Sequence, residues 1–239
     1  MKALHHTRPP AAHKWELASL GRRVPRSLRH ARDLSTARRI VATAESIFAE
    51  QGLAGARMDE IAHAAKVNKA LLYYYFRSKE ELHRFVLETL LSQLSFKVGD
   101  ASADAPSPRK RLSAMVDNFF DFVLAHPNYP RLIQREIMGR GPNLGWIVTE
   151  YYRPLHGRLV RLIEEGISAG EFRRVDAGNA AVTVVSIMVH YFSAAPVLGR
   201  VLGHDPLRPQ EVAKRREAVQ DFLEHGLSLA GKGPGAGAR

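Results

Sequence analysis

Residues 36–91 decide the fold, and their sequence is TARRIVATAESIFAEQGLAGARMDEIAHAAKVNKALLYYYFRSKEELHRFVLETLL. The apolar residues of its first part recur at helical spacing and share one face: Ile40, Ala44, Ile47 and Phe48. We expect this first helix to end at Gln51-Gly52, because glycine adopts the left-handed cap conformation without strain. A second apolar stripe predicts a second, shorter helix: Met58, Ile61, Ala62 and Ala65.

The tight turn that follows points to a helix-turn-helix. Only Lys66 and Val67 separate the second stripe from Asn68, a residue favoured at helix N-caps. In the third helix, predicted over 69–76, the i, i+4 pair of Leu72 and Phe76 faces the core. Two short helices joined by such a turn predict a motif whose second helix enters the major groove of DNA.

A capping box starts the fourth helix, because Ser78 is followed three residues later by Glu81. Its apolar stripe predicts a helix that continues to about Lys97: Leu82, Phe85, Val86 and Leu90. The small, proline-containing segment 99–108 then predicts a loop that separates these helices from the remainder of the chain.

The stretch MDEIAHAAKVNKALLYYYFRSKEEL, residues 58–82, resembles the DNA-binding domain of the tetracycline-repressor (TetR) family of bacterial transcription regulators. The aromatic run 69–76 followed by Ser78-Lys79-Glu80 carries the resemblance. It implies an all-α protein: an N-terminal helix-turn-helix three-helix DNA-binding domain plus a C-terminal helical ligand-binding and dimerisation domain, about nine helices in total. Three positions depart from the family pattern. The family usually has glycine where this chain has Lys66, and often threonine where it has Arg57-Met58. Leu71 replaces a residue that is usually small or polar.

The exposed side of the third helix is expected to contact DNA. Lys69 can reach a guanine edge or a phosphate, and a tyrosine hydroxyl can reach a phosphate oxygen. Core packing is the alternative role for each tyrosine, although helical geometry leaves no room for all three inside. The complete predicted set is Arg57, Asn68, Lys69, Ala70, Leu71, Tyr73, Tyr74, Tyr75 and Lys79.

Charge and composition agree with a polyanionic partner. The chain has 239 residues, a net charge of +11 and no cysteine, which excludes disulfides and cysteine-based metal sites or nucleophiles. We predict a cytoplasmic protein. Residues 1–34 are predicted to form a disordered basic arm, with no apolar run of signal-peptide length. Its arginines 22, 23, 26 and 29 are hypothesised to lie on phosphates or in the minor groove. A solvated tail and a wrongly chosen start codon remain alternatives.

Helical spacing continues through the predicted C-terminal domain, 81–230, and no segment alternates with a period of two, so we expect no sheet. The helices are predicted at about 109–126, 129–138, 146–167 with a kink at Pro154, 176–198 and 209–230. The helix-turn-helix domain is assigned to 35–80, and 231–239 is expected to be a flexible tail.

The stretch 177–199 contains no Asp, Glu, Lys or Arg. A membrane span is considered and rejected, because the segment carries polar residues and a proline and no second span exists. The resemblance implies instead a homodimer in which the helices at about 176–199 and 209–230 form a four-helix bundle with their symmetry mates. The apolar face of the last helix is predicted to consist of Phe222, Leu223, Leu227 and Leu229.

The resemblance also implies a small-molecule effector pocket among the C-terminal helices, with core packing as the alternative role of each candidate. The candidates are Phe119, Phe122, Gln134, Met138, Trp146, Tyr152, His156, His190 and Tyr191. Effector binding is expected to favour a conformer in which the fourth helix swings and releases the operator.

No sequence motif supports catalysis, because P-loop, GxGxxG, HExxH and GxSxG patterns are absent. We predict no catalytic residues, no cofactor and no metal site. The predicted function is a sequence-specific regulator, a repressor released from a pseudo-palindromic operator by an effector. The alternative is a basic dimeric nucleoid-associated protein that binds DNA with little sequence preference.

Overall fold

The computed structural model describes residues 31–100, 105–139 and 141–228, and this part of the chain is almost entirely helical. Its N-terminal helices have the following bounds: α1 Ala31–Gly55, α2 Met58–Ala64, α3 Lys69–Tyr75 and α4 Lys79–Ser95. The predicted basic arm falls outside the described residues except for its last four positions. Those four are helical, so α1 begins before the predicted boundary at residue 35.

Local signals in the sequence place the ends of these helices correctly. Gly52 interrupts α1 at the predicted position, but with φ +72° and ψ 175° it is extended at positive φ and does not adopt the predicted left-handed cap conformation. The backbone N–H of Leu71 donates to Asn68 Oδ1 at 2.7 Å, and that of Glu81 donates to Ser78 Oγ at 3.1 Å. Both predicted N-caps are therefore confirmed, although Glu81 reaches back to the N–H of Arg77, at 2.8 Å, and not to that of Ser78.

The turn between α2 and α3 is left-handed at Lys66, which has φ +54°. Lys66 is the one residue other than glycine with a positive φ in the described chain. A side chain with a Cβ is strained in this region, which explains why glycine is common at this turn in the resembled family.

The C-terminal helices follow with these bounds: α5 Pro108–Ala125, α6 Tyr129–Met138, α7 Leu144–Ile147, α8 Arg153–Ser168, α9 Ala177–Ser193, α10 Ala195–Leu202 and α11 Pro209–Leu227. Two π-helical turns, Phe96–Asp100 and Val148–Tyr152, extend α4 and join α7 to α8. The predicted helix 146–167 is thus interrupted before Pro154. A π-helical turn lies there because proline lacks the N–H for the regular helical hydrogen bond.

The single helix predicted over 176–198 is wrong. Asp176 caps α9 as expected, with the N–H of Asn179 donating to its carboxylate at 2.7 Å. The chain then bends by 73° at Ala194 and starts α10, with Pro196 in the first turn. Proline fits a first turn but clashes with the preceding turn of a continuous helix, so Pro196 starts a new helix and does not end the old one.

One connected hydrophobic core runs from α1 to α11. Helix α1 packs on α4, α6 packs on α1, and α9 packs on α8. Within the described residues the only bridge is the isolated pair Phe172–Ser228, which confirms the predicted absence of a sheet. No single helix in the described ranges has the length and hydropathy to cross a membrane. The bent pair α9 and α10 reaches that length and hydropathy only when the two helices are taken together.

Candidate nucleic-acid interface

Helix α3 has one buried and one exposed face. Leu72 is fully buried, and Phe76 is buried with its ring 5.4 Å from that of Phe85. Lys69 and Ala70 are exposed on the opposite face, and so are Tyr73 and Tyr74, at 42% and 53%. The predicted orientation of this helix is therefore confirmed, and two of the three tyrosines are surface residues.

The other predicted contact residues on α3 have partly structural roles. Tyr75 is half-buried, packs against the core, and stacks edge-on with Tyr74 at 5.7 Å. Leu71 is half-buried. The side chain of Asn68 caps the helix, as described above. Leu71 and Tyr75 are therefore less exposed than Lys69, Ala70, Tyr73 and Tyr74, whereas Asn68 is exposed as well as capping the helix.

An ion pair links the exposed face of α3 to α2. The ammonium of Lys69 lies 2.8 Å from the carboxylate of Asp59, and both side chains are more than half exposed. The hydrogen bond to Asp59 raises the pKa of Lys69, and the negative charge of Asp59 adds to this effect. Arg57 lies exposed at the N-cap position of α2, and its side chain caps no N–H.

Two long side chains fix the helix-turn-helix to its neighbours. The ammonium of Lys79 donates to the carbonyls of Ala54 and Ala56, at 3.3 and 2.9 Å, and so holds the α1–α2 loop against α4. Arg39 Nε donates to the carbonyl of Ala65 at 2.8 Å, which ties α1 to the end of α2. Neither role was predicted, because both depend on backbone carbonyls that become neighbours only in the folded chain.

The predicted effector residues do not form one site. Phe119 and Phe122 are buried in the core, whereas five others are exposed or only partly buried: Gln134, Met138, Trp146, His156 and His190. Tyr191 donates its hydroxyl to the carbonyl of Pro206 at 2.6 Å and lies under the guanidinium of Arg215. Phe122 and Tyr152 are brought together by Tyr129, which stacks on the first and is hydrogen-bonded to the second.

A cavity of about 260 Å³, half open to solvent, lies between the end of α4 and the start of α8. None of the predicted effector residues lines it. Its walls are Ser92, Ser95, Phe96, Glu150, Tyr151, Pro154, Leu155 and Arg158. Trp146 lies close by, because its ring packs edge-on against Tyr151 at 5.4 Å. In the described residues no group of three or more acidic, histidine or cysteine side chains could hold a metal ion.

Helix α6 connects the helix-turn-helix region to the C-terminal helices. Arg135 donates to the carbonyls of Ala49 and Glu50, at 3.2 and 2.7 Å. A Cβ at Gly52 would lie 3.0 Å from the same guanidinium, so this close approach favours glycine. At the other end of α6, the amide of Asn128 donates to Glu45 at 3.2 Å.

Buried polar residues lie at the same junction. His83 on α4 is almost fully buried, with Asn143 Nδ2 at 3.4 Å and Glu136 Oε1 at 3.7 Å from its Nδ1. Burial lowers the pKa of His83 to about 4, against a small opposing effect of Glu80. The imidazole is therefore neutral at pH 7, and its contact with Glu136 is not an ion pair at that pH.

Comparisons with known proteins agree with this architecture. Residues 40–84 match the family model described as bacterial regulatory proteins, tetR family, and residues 108–223 match the tetracyclin repressor-like C-terminal domain. A transcriptional repressor of Streptomyces coelicolor is 30% identical over 70% of this chain and 83% of its own. The activator FasR of Mycolicibacterium smegmatis is 31% identical over 70% of this chain and 74% of its own length. The repressor NicS of Pseudomonas putida is 26% identical over 79% of this chain and 90% of its own length.

Solved structures show the same fold. A ketosteroid transcriptional regulator of Mycobacterium tuberculosis superposes with a TM-score of 0.67 at 21% identity, covering 80% of this chain and 95% of that one. The helix-turn-helix, the C-terminal helices and these matches favour a sequence-specific regulator over a nucleoid-associated protein. The chain belongs to the TetR family of DNA-binding transcriptional regulators.

Proposed function

We propose that this regulator represses transcription by binding a pseudo-palindromic operator as a homodimer, and that a small-molecule effector releases it. The exposed face of α3 carries the proposal. It combines a lysine, a small residue and two tyrosine rings beside a tight turn, which is the chemistry needed to enter a major groove. Two of the relatives are named as repressors and one as an activator. Measuring transcription from the native promoter, with and without the regulator, therefore tests whether it represses or activates.

We assign the DNA contacts to residue 57, to residues 68–71 and 73–75 at α3, and to Lys79 at the start of α4, whose ammonium has one N–H donor left beside those given to Ala54 and Ala56. Tyr74→Phe removes only a hydroxyl and is expected to weaken binding to all sequences alike, because a phosphate contact carries no sequence information. Lys69→Ala is expected to relax the preference at one base step by about 1–3 kcal/mol. Titration of both variants against a set of single-base operator variants separates the two roles. Wild-type behaviour of both would show that the face is wrongly assigned.

We propose that α9 and α11 form the dimer interface. Val182, Val185 and Val189 are exposed along one side of α9, and Phe222 is 59% exposed on α11. The exposed hydroxyls of α9 are already satisfied: those of Thr183, Ser186 and Ser193 each donate to the carbonyl four residues earlier. A helix face without charge and with satisfied hydroxyls can be buried at little desolvation cost.

This interface also accounts for a difference from the predicted apolar face of α11. Leu223 and Leu227 are buried within the subunit, whereas Phe222 lies outside the core, and Leu229 is not among the described residues. We assign Phe222 to the contact with the second subunit. Two-fold symmetry then places two copies of α3 on two half-sites, which explains why the expected operator is pseudo-palindromic.

We propose that the effector binds in the cavity between α4 and α8. Its lining combines aromatic and apolar walls with hydroxyls, an arginine and a glutamate, and its volume favours a small polar molecule. Trp146 offers a local reporter, because its ring contacts Tyr151 in the cavity wall. The chain has two tryptophans, so Trp15→Phe leaves Trp146 as the single fluorophore. A metabolite that changes this fluorescence and releases the operator would identify the effector.

Helix α4, which carries Ser92 and Ser95 of the cavity wall, is the proposed route from effector to DNA, and α6 provides a second connection to α1. We divide the chain into a DNA-binding unit at 35–80 and an effector-binding and dimerisation unit at 81–230, which α6 and α4 connect. A displacement of α6 reaches α1 directly through Arg135 and Asn128. We further propose a cytoplasmic protein that acts by binding alone, without catalysis.

The first experiment is selection of bound fragments from genomic DNA by the purified full chain at near-physiological salt. One enriched pseudo-palindrome is the expected result, and the genes beside it would suggest the effector. Enrichment without a common motif would contradict the proposal, and it would favour binding with little sequence preference.

A further inference from the structure

Two neighbouring acids on α2 make different contacts. The carboxylate of Asp59 accepts a hydrogen bond from the ammonium of Lys69, on the exposed face of α3, at 2.8 Å. The carboxylate of Glu60 accepts one from Gln51 Nε2, at the end of α1, at 2.6 Å. One acid therefore contacts the DNA-facing lysine, and the adjacent acid contacts a residue outside α3.

The Lys69–Asp59 pair lies in solvent, since 60% of the lysine side chain and 68% of the aspartate side chain are exposed. An exposed pair of this kind contributes little to the stability of the fold. A carboxylate on a surface that meets phosphates also opposes DNA binding by charge repulsion. Asp59 and Glu60 both lie in the first turn of α2, where a carboxylate stabilises the helix, so this shared position does not explain why only Asp59 contacts Lys69.

We propose that Asp59 is a specificity-determining residue that positions Lys69, so that this lysine contributes to a base contact and little to binding of arbitrary phosphates. The proposal rests on the function proposed above. An ammonium carries three N–H donors, and Asp59 occupies one of them. Two donors remain for acceptors on a base edge while the ion pair stays intact.

A phosphate contact that pulls Lys69 away from Asp59 gains much less. Such a contact exchanges one anionic partner for another and leaves the Asp59 carboxylate unpaired among phosphates. A phosphate contact made with the ion pair intact also gains little, because the Asp59 carboxylate repels the phosphate that the ammonium attracts, so the net gain from a random stretch of duplex is small. The ion pair lowers non-specific affinity more than specific affinity, and the ratio between the two is what a regulator needs in a genome.

The test compares Asp59→Asn with Glu60→Gln in the full chain. Each variant removes one negative charge from the same turn of α2 and keeps the side-chain shape, but only the first weakens the hold on Lys69. The specific probe is the duplex most enriched by the wild-type protein from a random-sequence library, and the non-specific probe is the same duplex with its sequence shuffled.

Relative to Glu60→Gln, Asp59→Asn is expected to bind the shuffled duplex about two- to fivefold more tightly, the effect of one exposed ion pair. The slope of log affinity against log salt should steepen by about one, because Lys69 becomes available to a phosphate. The ratio of specific to non-specific affinity should fall. When Lys69→Gln is added to each acid variant, the two double variants should bind the shuffled duplex with equal affinity and equal salt dependence.

Equal behaviour of the two acid variants on the shuffled duplex, with Lys69 present, would overturn the inference. A persisting difference between them in the Lys69→Gln background would overturn it as well. Failure of the wild-type protein to enrich any duplex would contradict the proposed function instead, and so the two failures are distinguishable. Urea unfolding of each variant checks that the fold is intact.

Discussion

Two exposed helix faces of this molecule differ in their chemistry. The face of α3 presents a lysine paired with an aspartate, together with two tyrosine rings that are 42% and 53% exposed. The face of α9 presents valines, and its hydroxyls are bonded to its own backbone. Exposure alone therefore does not define a binding surface. An exposed face that carries a charged side chain and tyrosine rings favours an aqueous, charged ligand such as DNA, whereas a face of valines with satisfied hydroxyls favours burial against protein.

The largest expected effect comes from a charge on the α9 face. Val185→Glu should disrupt the proposed dimer, because burial of an unpaired carboxylate costs about 3 kcal/mol or more, a factor of at least about one hundred in the dimer dissociation constant. Analytical ultracentrifugation gives the oligomeric state, and operator titration gives the accompanying loss of affinity. Leu124→Glu, at an exposed leucine on α5, is the matched control. A dimer that survives Val185→Glu would remove α9 from the interface.

The second prediction contrasts the two faces of α3 itself. Leu72→Ala should lower the free energy of unfolding by about 2–5 kcal/mol, because Leu72 is fully buried and its truncation leaves a cavity. Tyr74→Phe, two residues away, should change that free energy by less than about 0.5 kcal/mol while weakening DNA binding. Urea denaturation and operator titration of both variants provide the comparison. Similar losses of stability would contradict the assigned orientation.

The third prediction concerns the junction between the two regions. Since burial holds the pKa of His83 near 4, against 6.5 for an accessible histidine, only the unfolded state binds its proton between these values. His83 by itself should therefore lower the free energy of unfolding by about 3 kcal/mol as the pH is lowered from 6.5 to 4. Urea unfolding across this range tests it. His83→Gln should flatten the profile and His63→Gln, at an exposed site on α2, should not. Equal profiles for wild type and His83→Gln would refute the assignment.

The smallest expected effect is on the contact through which we propose that the two regions communicate. Arg135→Gln removes a charged donor from the carbonyls at the end of α1. Local opening there should become easier by about 0.5–2 kcal/mol, seen as faster hydrogen exchange of the backbone amides at 53–56. Arg131→Gln, at an exposed position of the same helix, serves as the control. Unchanged exchange at 53–56 would show that Arg135 does not stabilise the end of α1.

Short-range signals made most of the helix-turn-helix predictable. Apolar spacing assigned Leu72 and Phe76 to the core, and capping chemistry placed the starts of α3 and α4 at Asn68 and Ser78. These features depend on residues three or four positions apart, whose geometry within a helix is the same in any fold. The effector region was less predictable. The walls of a cavity come from separate helices, and no local pattern marks Ser92 and Arg158 as neighbours.

The bounds of most helices and the lysine and tyrosines of the exposed α3 face were predictable, because helix periodicity and caps are local, and the class of the protein followed from the resemblance carried by residues 69–80. Four features became known from the folded chain alone: the break between α9 and α10, the buried site of His83, the position of Phe222 outside the core, and the partner of Lys69. Each of these features depends on which segment, distant in sequence, packs against the residue in the folded chain. That choice follows from the sum of many weak contacts along the whole chain, and it is not encoded in any short stretch.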